Sequence, residues 1–146
     1  MNISIGSDHA GYDMRQDIAH TLREMGYIVT ERGAVSSSES FSYVKAGLAV
    51  AKDVSDGTAE KGIAICGTGI GISIVCNKKR GIRCALCMNE FMARMARQHN
   101  NANILALGAR VIGKSLAQSI VGSFLSGEFD GGRHQERLDE MENNED

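Results

Sequence analysis

The chain has 146 residues, 42% hydrophobic and 23% charged, with a formal net charge of −2. That length supports one domain with a real core, the balance is that of a soluble globular protein, and the charge gives no footing for nucleic acid as a main partner. No apolar run approaches the roughly 18 residues of a membrane helix, and residues 1–6 lack the basic-then-apolar layout of a signal peptide.

Residues 2–6 are apolar enough to predict a first strand. Met14, Ile18, Leu22 and Met25 then fall at spacings of four, four and three, which marks one face of a helix. Tyr27–Thr30 predicts the second strand, and 31–40 a polar loop centred on Ser36, Ser37 and Ser38. Residues 42–53 predict a helix. The third strand is 62–66, followed by a glycine-rich turn and a helix to about Asn77. Strand 82–87, helix 89–98, strand 103–107 and helix 113–125 complete the pattern, with Leu116, Ile120 and Phe124 as one stripe of the last helix. Strands alternating with helices require right-handed crossovers, and near-continuous apolar strands ask for cover on both faces. The expected fold is therefore α/β: a single-domain, doubly wound, Rossmann-like five-stranded parallel sheet with helices on both faces. It spans residues 1–146, with a flexible acidic tail over about 140–146. The chain contains no proline, so its turns rely on Gly, Ser, Asn and Asp.

Four cysteines, Cys66, Cys76, Cys84 and Cys87, lie mid-chain in apolar surroundings. That is not the pattern of a secreted disulfide scaffold, and a reducing cytoplasm is expected. Cys84 and Cys87 form a C-x-x-C string, but positions three apart on a strand face opposite sides. Two buried, inert thiols are favoured over a redox pair or a zinc half-site.

In parallel sheets of this kind ligands bind beyond the carboxyl ends of the strands. The segment Cys66-Gly67-Thr68-Gly69-Ile70-Gly71-Ile72 lies there, at the end of a buried strand and the start of a helix. Its glycines allow a sharp turn and a close ligand approach. The helix N-terminus offers unpaired N–H groups to an anion, and the same field favours a thiolate, which makes Cys66 a candidate base or nucleophile. The turn lacks the Gly-Lys-Ser/Thr ending of a P-loop. Its glycines are two apart and follow the third strand, so it does not match the dinucleotide fingerprint either. Asp8 and His9, at the first strand-to-helix turn, can reach a polar ligand, though Asp8 also suits a helix cap. His99, with Asn100 beside it, can act as acid or base near neutral pH, or belong to ordinary loop chemistry. Arg133 and Arg137 share a helical face, with His134 between them. Together with Arg110 they could hold a phosphate, or form a solvated face paired with Asp139 or Glu140.

Taken together, Ser7-Asp8-His9-Ala10-Gly11, the Cys66–Ser73 string, Asn77-Lys78, Gly81-Ile82-Arg83, Arg97-Gln98-His99-Asn100, Asn103–Arg110 and Gly131-Gly132-Arg133-His134 resemble one family. It is ribose-5-phosphate isomerase type B, with its relatives the galactose-6-phosphate isomerase subunits. The resemblance implies aldose–ketose isomerisation of ribose 5-phosphate to ribulose 5-phosphate through an enediolate, with no cofactor and no metal. Carried onto this chain, it makes Cys66 the proton-transfer base, His99 the group that assists ring opening, and Thr68 the third member of the catalytic set. Backbone from Gly67 through Gly69 and Ile70 to Gly71 would hold the enediolate oxygen. Asp8 and Asn100 would bind sugar hydroxyls, and His9, Arg110, Arg133 and Arg137 phosphate or nearby oxygens. It also implies a homodimer with the site at the subunit interface, open to pairing into a tetramer. One departure stands out: the family's Asp-Tyr-Pro string is replaced by Ser40-Phe41-Ser42, so Tyr43 must supply the missing hydroxyl or the contact is lost. That leaves a six-carbon sugar phosphate (allose or galactose 6-phosphate), a two-chain enzyme or a non-catalytic sugar-phosphate binder as alternatives. A thiol redox protein is a further alternative, on Cys66 and the C-x-x-C string.

Overall fold

The computed structural model describes residues 1–144. Five strands, β1 (Asn2–Ser7), β2 (Ile28–Gly33), β3 (Lys61–Cys66), β4 (Cys84–Leu86) and β5 (Ile104–Gly108), form one sheet in the order β2-β1-β3-β5-β4, every pairing parallel. The crossovers are α1 (Tyr12–Glu24), α2 (Tyr43–Ser55), α3 (Ile70–Asn77) and α4 (Glu90–Gln98). They are followed by α5 (Lys114–Ser126) and α6 (Arg133–Glu142). No helix among the described residues is long and apolar enough to cross a membrane.

Alternation along the strands divides the core in two. Ile3, Ile5, Ile63, Ile65, Leu105 and Leu107 face α1, α4 and α5, where Ile18, Leu22, Ile120 and Phe124 meet them. Ala64, Cys66, Ile104 and Ala106 face α2 and α3, against Val50, Ile72 and Cys76. Cys66 thus points to the α2–α3 side, beneath the start of α3. The same alternation separates Cys84, packed with the second cluster, from Cys87, buried in the first. Hydrogen bonding to Cys76 and burial push the Cys84 thiol up, and burial pushes Cys87 up to about 11. The two lie on opposite faces, as strand alternation predicts.

Three boundaries differ from the expectation. β2 runs on to Gly33 because Glu31 is paired with Arg15 and Arg23, and Arg32 with Asp53. β4 shrinks to three residues, since Asn103 and Asn77 take up the backbone N–H groups of Arg83 and Cys84 at its start. The acidic tail begins as helix: α6 includes residues 140–142, and Glu142 pairs with Arg83 at 2.8 Å. Asn143 caps the end of α6, and the last two residues of the predicted tail, Glu145 and Asp146, lie outside the described residues.

Candidate active site

The chain leaves β1 toward β2 on one side and returns to β3 on the other, so a crevice opens between the carboxyl ends of β1 and β3. The two ends are stitched together by Asp8 N–H donating to the Ile65 carbonyl at 3.3 Å. Asp8 is buried, and its carboxylate accepts the Gly11 N–H at 3.0 Å, which closes the turn before α1, while the helix itself starts from Gly11 without a side-chain cap. His9 Nδ1 accepts the Phe41 N–H at 3.1 Å. A ring nitrogen that accepts carries no proton, so neutral His9 holds its proton on Nε2, which is left free to donate.

Cys66 ends β3 with its side chain almost wholly buried. Its Sγ accepts the Gly69 N–H at 3.2 Å, a donor aimed at the sulfur. Gly69 makes this turn with φ +80, and a Cβ there would lie 2.5 Å from Leu86 Cδ1. Thr68 Oγ1 takes the next N–H, that of Ile70, at 3.2 Å. The N–H groups of Gly71 and Ile72, in the first turn of α3, have no intrahelical acceptor. They point out of the start of α3, at the carboxyl edge of the sheet. The Arg110 backbone N–H donates to the Gly67 carbonyl at 2.9 Å, and its guanidinium lies over Gly67, where an added Cβ would be 3.3 Å from Nη1. Tyr43, the first residue of α2, lays its ring on Gly71, where a Cβ would sit 2.8 Å from Cε2. Phe41 packs half-buried on the α2–α3 core. The Tyr43 ring thus lies beside the glycine turn while Phe41 turns inward.

His99, Asn100, Arg133 and Arg137 are elsewhere. α4 runs back from the carboxyl edge, so His99 at its end lies at the amino edge of the sheet, before β5. Cys66 is level with Gly108 and Gly62 with Ile104, which sets the two groups about 13 Å apart along the strand direction alone at about 3.3 Å per residue. At the amino edge the His99 and His134 rings stack, centroids 4.3 Å apart and planes 12° from parallel. This ties the α4–β5 loop to the first turn of α6, which carries Arg133. Loss of solvation and the neighbouring His99, Arg133 and Arg137 hold the His134 imidazole below its ordinary value. Ligand atoms of His99, Asp130 and His134 lie within 4.8 Å of one another, a spacing that could take a metal ion. The sequence reading placed His134 between the two arginines but gave it no role. Its stacking on His99 joins segments about a quarter of the chain apart, and only its place next to Arg133 hinted at it.

A single chain thus holds two groupings of candidate residues, one at each edge of the sheet. One is a thiol in a cradle of backbone donors with Asp8, His9, Tyr43 and Arg110. The other is an imidazole and an amide with two arginines. The Ribose/Galactose Isomerase family model matches residues 3–141. The chain is 43% identical to ribose-5-phosphate isomerase B of Escherichia coli, over 94% of this chain and 91% of that one. The structure of ribose-5-phosphate isomerase B from Clostridium thermocellum superposes with a TM-score of 0.96 at 51% identity, covering 97% of this chain and 95% of that one. The Mycoplasma genitalium enzyme, solved with bound ribulose-5-phosphate, gives 0.93 at 37% identity, covering 97% and 93%. By the match along nearly its whole length, the chain belongs to the ribose/galactose isomerase family.

Proposed function

We propose that this protein interconverts ribose 5-phosphate and ribulose 5-phosphate without a metal, using a site assembled from two copies of the chain. The observation that carries the reading is the Cys66 sulfur under the Gly69 N–H, at the mouth of a crevice lined by unpaired α3 donors. A proton alpha to a carbonyl is too weakly acidic for a thiolate in water. It becomes removable when preorganised donors stabilise the enediolate oxygen, each worth about 3–4 kcal/mol. Cys66 takes the proton from C2 of the open-chain aldose, the electron pair moves onto the C1 oxygen facing the α3 donors, and the proton returns at C1. A hydroxyl proton exchanges between the two oxygens, so nothing is oxidised or reduced overall. His99 assists ring opening before this step. Asp8 and Asn100 bind hydroxyls, and the Tyr43 hydroxyl replaces the one absent from Phe41. His9 through Nε2, Arg110, Arg133 and Arg137 hold the phosphate, whose binding energy fixes the reacting carbons.

Two features support a second copy. The proposed base and the proposed ring-opening group stand at opposite edges of one sheet. In addition, Val44 and Leu48 of α2 and Ile70 and Ile74 of α3 are exposed on two packed helices, an apolar surface that a partner would cover.

The test is a coupled assay with excess chelator on wild type and Cys66→Ala, run on ribose 5-phosphate and on allose and galactose 6-phosphates. Wild-type turnover should survive chelation, favour the pentose and drop at least about 10³-fold in the variant, as expected for loss of a general base with its activation. Cys66→Ala should still bind substrate. Full activity in that variant ends the thiol mechanism, and turnover of only a six-carbon sugar reassigns the substrate.

A further inference from the structure

Arg83 stands in the short turn before β4, outside both groupings, yet it touches the elements that carry one of them. Its backbone N–H donates to Asn103 Oδ1 at 2.9 Å, and its carbonyl accepts the Asn103 N–H at 3.0 Å. The side chain then reaches into the loop after His99. Nε donates to the carbonyls of Asn100 and Asn101 at 3.2 and 3.1 Å, and Nη2 to that of Asn101 at 3.0 Å. Nη1 turns the other way and pairs with Glu142 Oε1, in the last turn of α6, at 2.8 Å.

One arm meets a loop that Arg97 also holds, through Asn101 Oδ1 at 2.9 Å and the Ala102 carbonyl at 2.7 Å, and the other meets a helix with little burial of its own. Asn101 has φ +45, the one positive value outside glycine among the described residues. Such backbone persists only where its surroundings impose it. Here Arg83 takes the Asn101 carbonyl, and Arg97 Nη1 donates to the Asn101 side chain at 2.9 Å. The peptide that follows His99 and Asn100 is thereby set in place. α6 buries only Leu138 among its ten residues. It is fastened near its start by the His99–His134 stack and at its end by Arg83–Glu142, fastenings about 12 Å apart at 1.5 Å per residue. Two such points fix a direction that one alone would leave free. Arg133 and Arg137 lie on the first turns of the helix so aimed.

We propose that Arg83 is a positioning residue: its planar fork locks the His99–Asn100 loop with one edge and aims the arginine face of α6 with the other. The proposal rests on the isomerase reading of those groups. Lysine could keep the charge and the Glu142 pair, but a single ammonium cannot span two carbonyls and a carboxylate in one plane. The two arms are therefore separable.

The experiment measures kcat and KM for ribose 5-phosphate, the affinity for inorganic phosphate by calorimetry, and Tm, in the full-length protein. Glu142→Gln releases α6 alone and should weaken phosphate binding and raise KM about fivefold, the scale of a partly exposed ion pair, with kcat near wild type. Arg83→Lys should keep phosphate affinity yet lose about 10–100-fold in kcat, as small misplacements of reacting groups do. Arg83→Met should lose both. If it does not fold, the two milder variants decide. Lowered Tm with unchanged kcat, KM and phosphate affinity in Arg83→Lys and Glu142→Gln would show a merely structural arginine and overturn the proposal. A wild type that turns over no sugar phosphate ends the isomerase reading instead, and the phosphate affinity of Glu142→Gln then decides alone whether this pair aims α6.

Discussion

Asp53 shows what holds a buried charge in this sheet. It is 5% exposed on α2, and its carboxylate accepts from Ser4 Oγ at 2.8 Å and from Arg32 Nε and Nη2 at 2.8 and 3.0 Å. Burial pushes the carboxyl up, but the Arg32 and Ser4 hydrogen bonds and the Arg32 charge together outweigh it and leave it below the ordinary range. The folded state therefore holds fewer protons here than the unfolded state, and stability rises with pH through this window. The contribution is complete above the unfolded carboxylate value near pH 4 and is lost as pH falls through the folded value. Asp53→Asn should lower stability at pH 7 by about 2–3 kcal/mol, below the usual cost of breaking a buried pair because Arg32 is 41% exposed. The gap in Tm between wild type and variant should close below pH 4, and a gap constant from pH 7 to pH 3 would remove the charge from the account. None of these partners was legible in the sequence. Ser4, Arg32 and Asp53 are brought together by β1, β2 and α2, and no local pattern announces that a polar residue has company. Arg15 is the same case. It is buried, and donates to Ser7 Oγ at 3.1 Å and to the Arg32 and Ala34 carbonyls at 2.8 and 2.7 Å, anchoring the loop that leads to Phe41 and Tyr43.

The turn between β3 and α3 was legible, because an apolar run, a cysteine and alternating glycines leave few conformations open. Gly69 is its hinge. A side chain there meets a left-handed backbone together with Leu107 carbonyl carbon at 2.9 Å and Gly108 nitrogen at 3.1 Å. Backbone that close cannot yield as a side-chain tip can. Gly69→Ala should cost about 2–4 kcal/mol, strain and overpacking together, and move the N–H that reaches Cys66. Gly57 is the control: its φ is +83 but nothing lies within 4 Å, so Gly57→Ala should cost about 1 kcal/mol from backbone strain alone. Denaturant midpoints compare the two, and turnover should fall sharply only in Gly69→Ala. Equal destabilisation with full activity in both would mean that the turn does not aim its donor. β3 and β5 were legible for a related reason, being buried on both faces and so nearly continuously apolar, and β1 by the alternation of Ile3 and Ile5. β4 and α6 were not. β4 owes its short length to asparagines of other loops. α6 carries one buried apolar residue, so it read as an arginine face and a tail instead of as an element.

At the scale of the molecule, the order of strands decides what one chain can assemble. The return of α4 to the amino edge puts His99 before β5 while Cys66 follows β3, and no side-chain rotation closes that gap. The resemblance implied an interface site, and the proposed roles of Cys66 and His99 call for one, because one chain holds them apart. Exposed apolar stripes on α2 and α3 give it a surface. If the site needs Cys66 of one copy and His99 of another, Cys66→Ala and His99→Asn should each be inactive or nearly so, yet restore activity on mixing. In a symmetric dimer with free exchange, half of the mixed population pairs one copy of each kind. Every such pair has one of its two sites intact, so activity should recover to about one quarter of wild type. Exchange is driven by brief dilution or mild denaturant, and sedimentation confirms that dimers re-form. Recovery near that fraction requires the shared site, because a site contained in one chain leaves both variants dead however they are mixed. Dimers that exchange, shown by labelled copies, without any recovery would overturn the shared site.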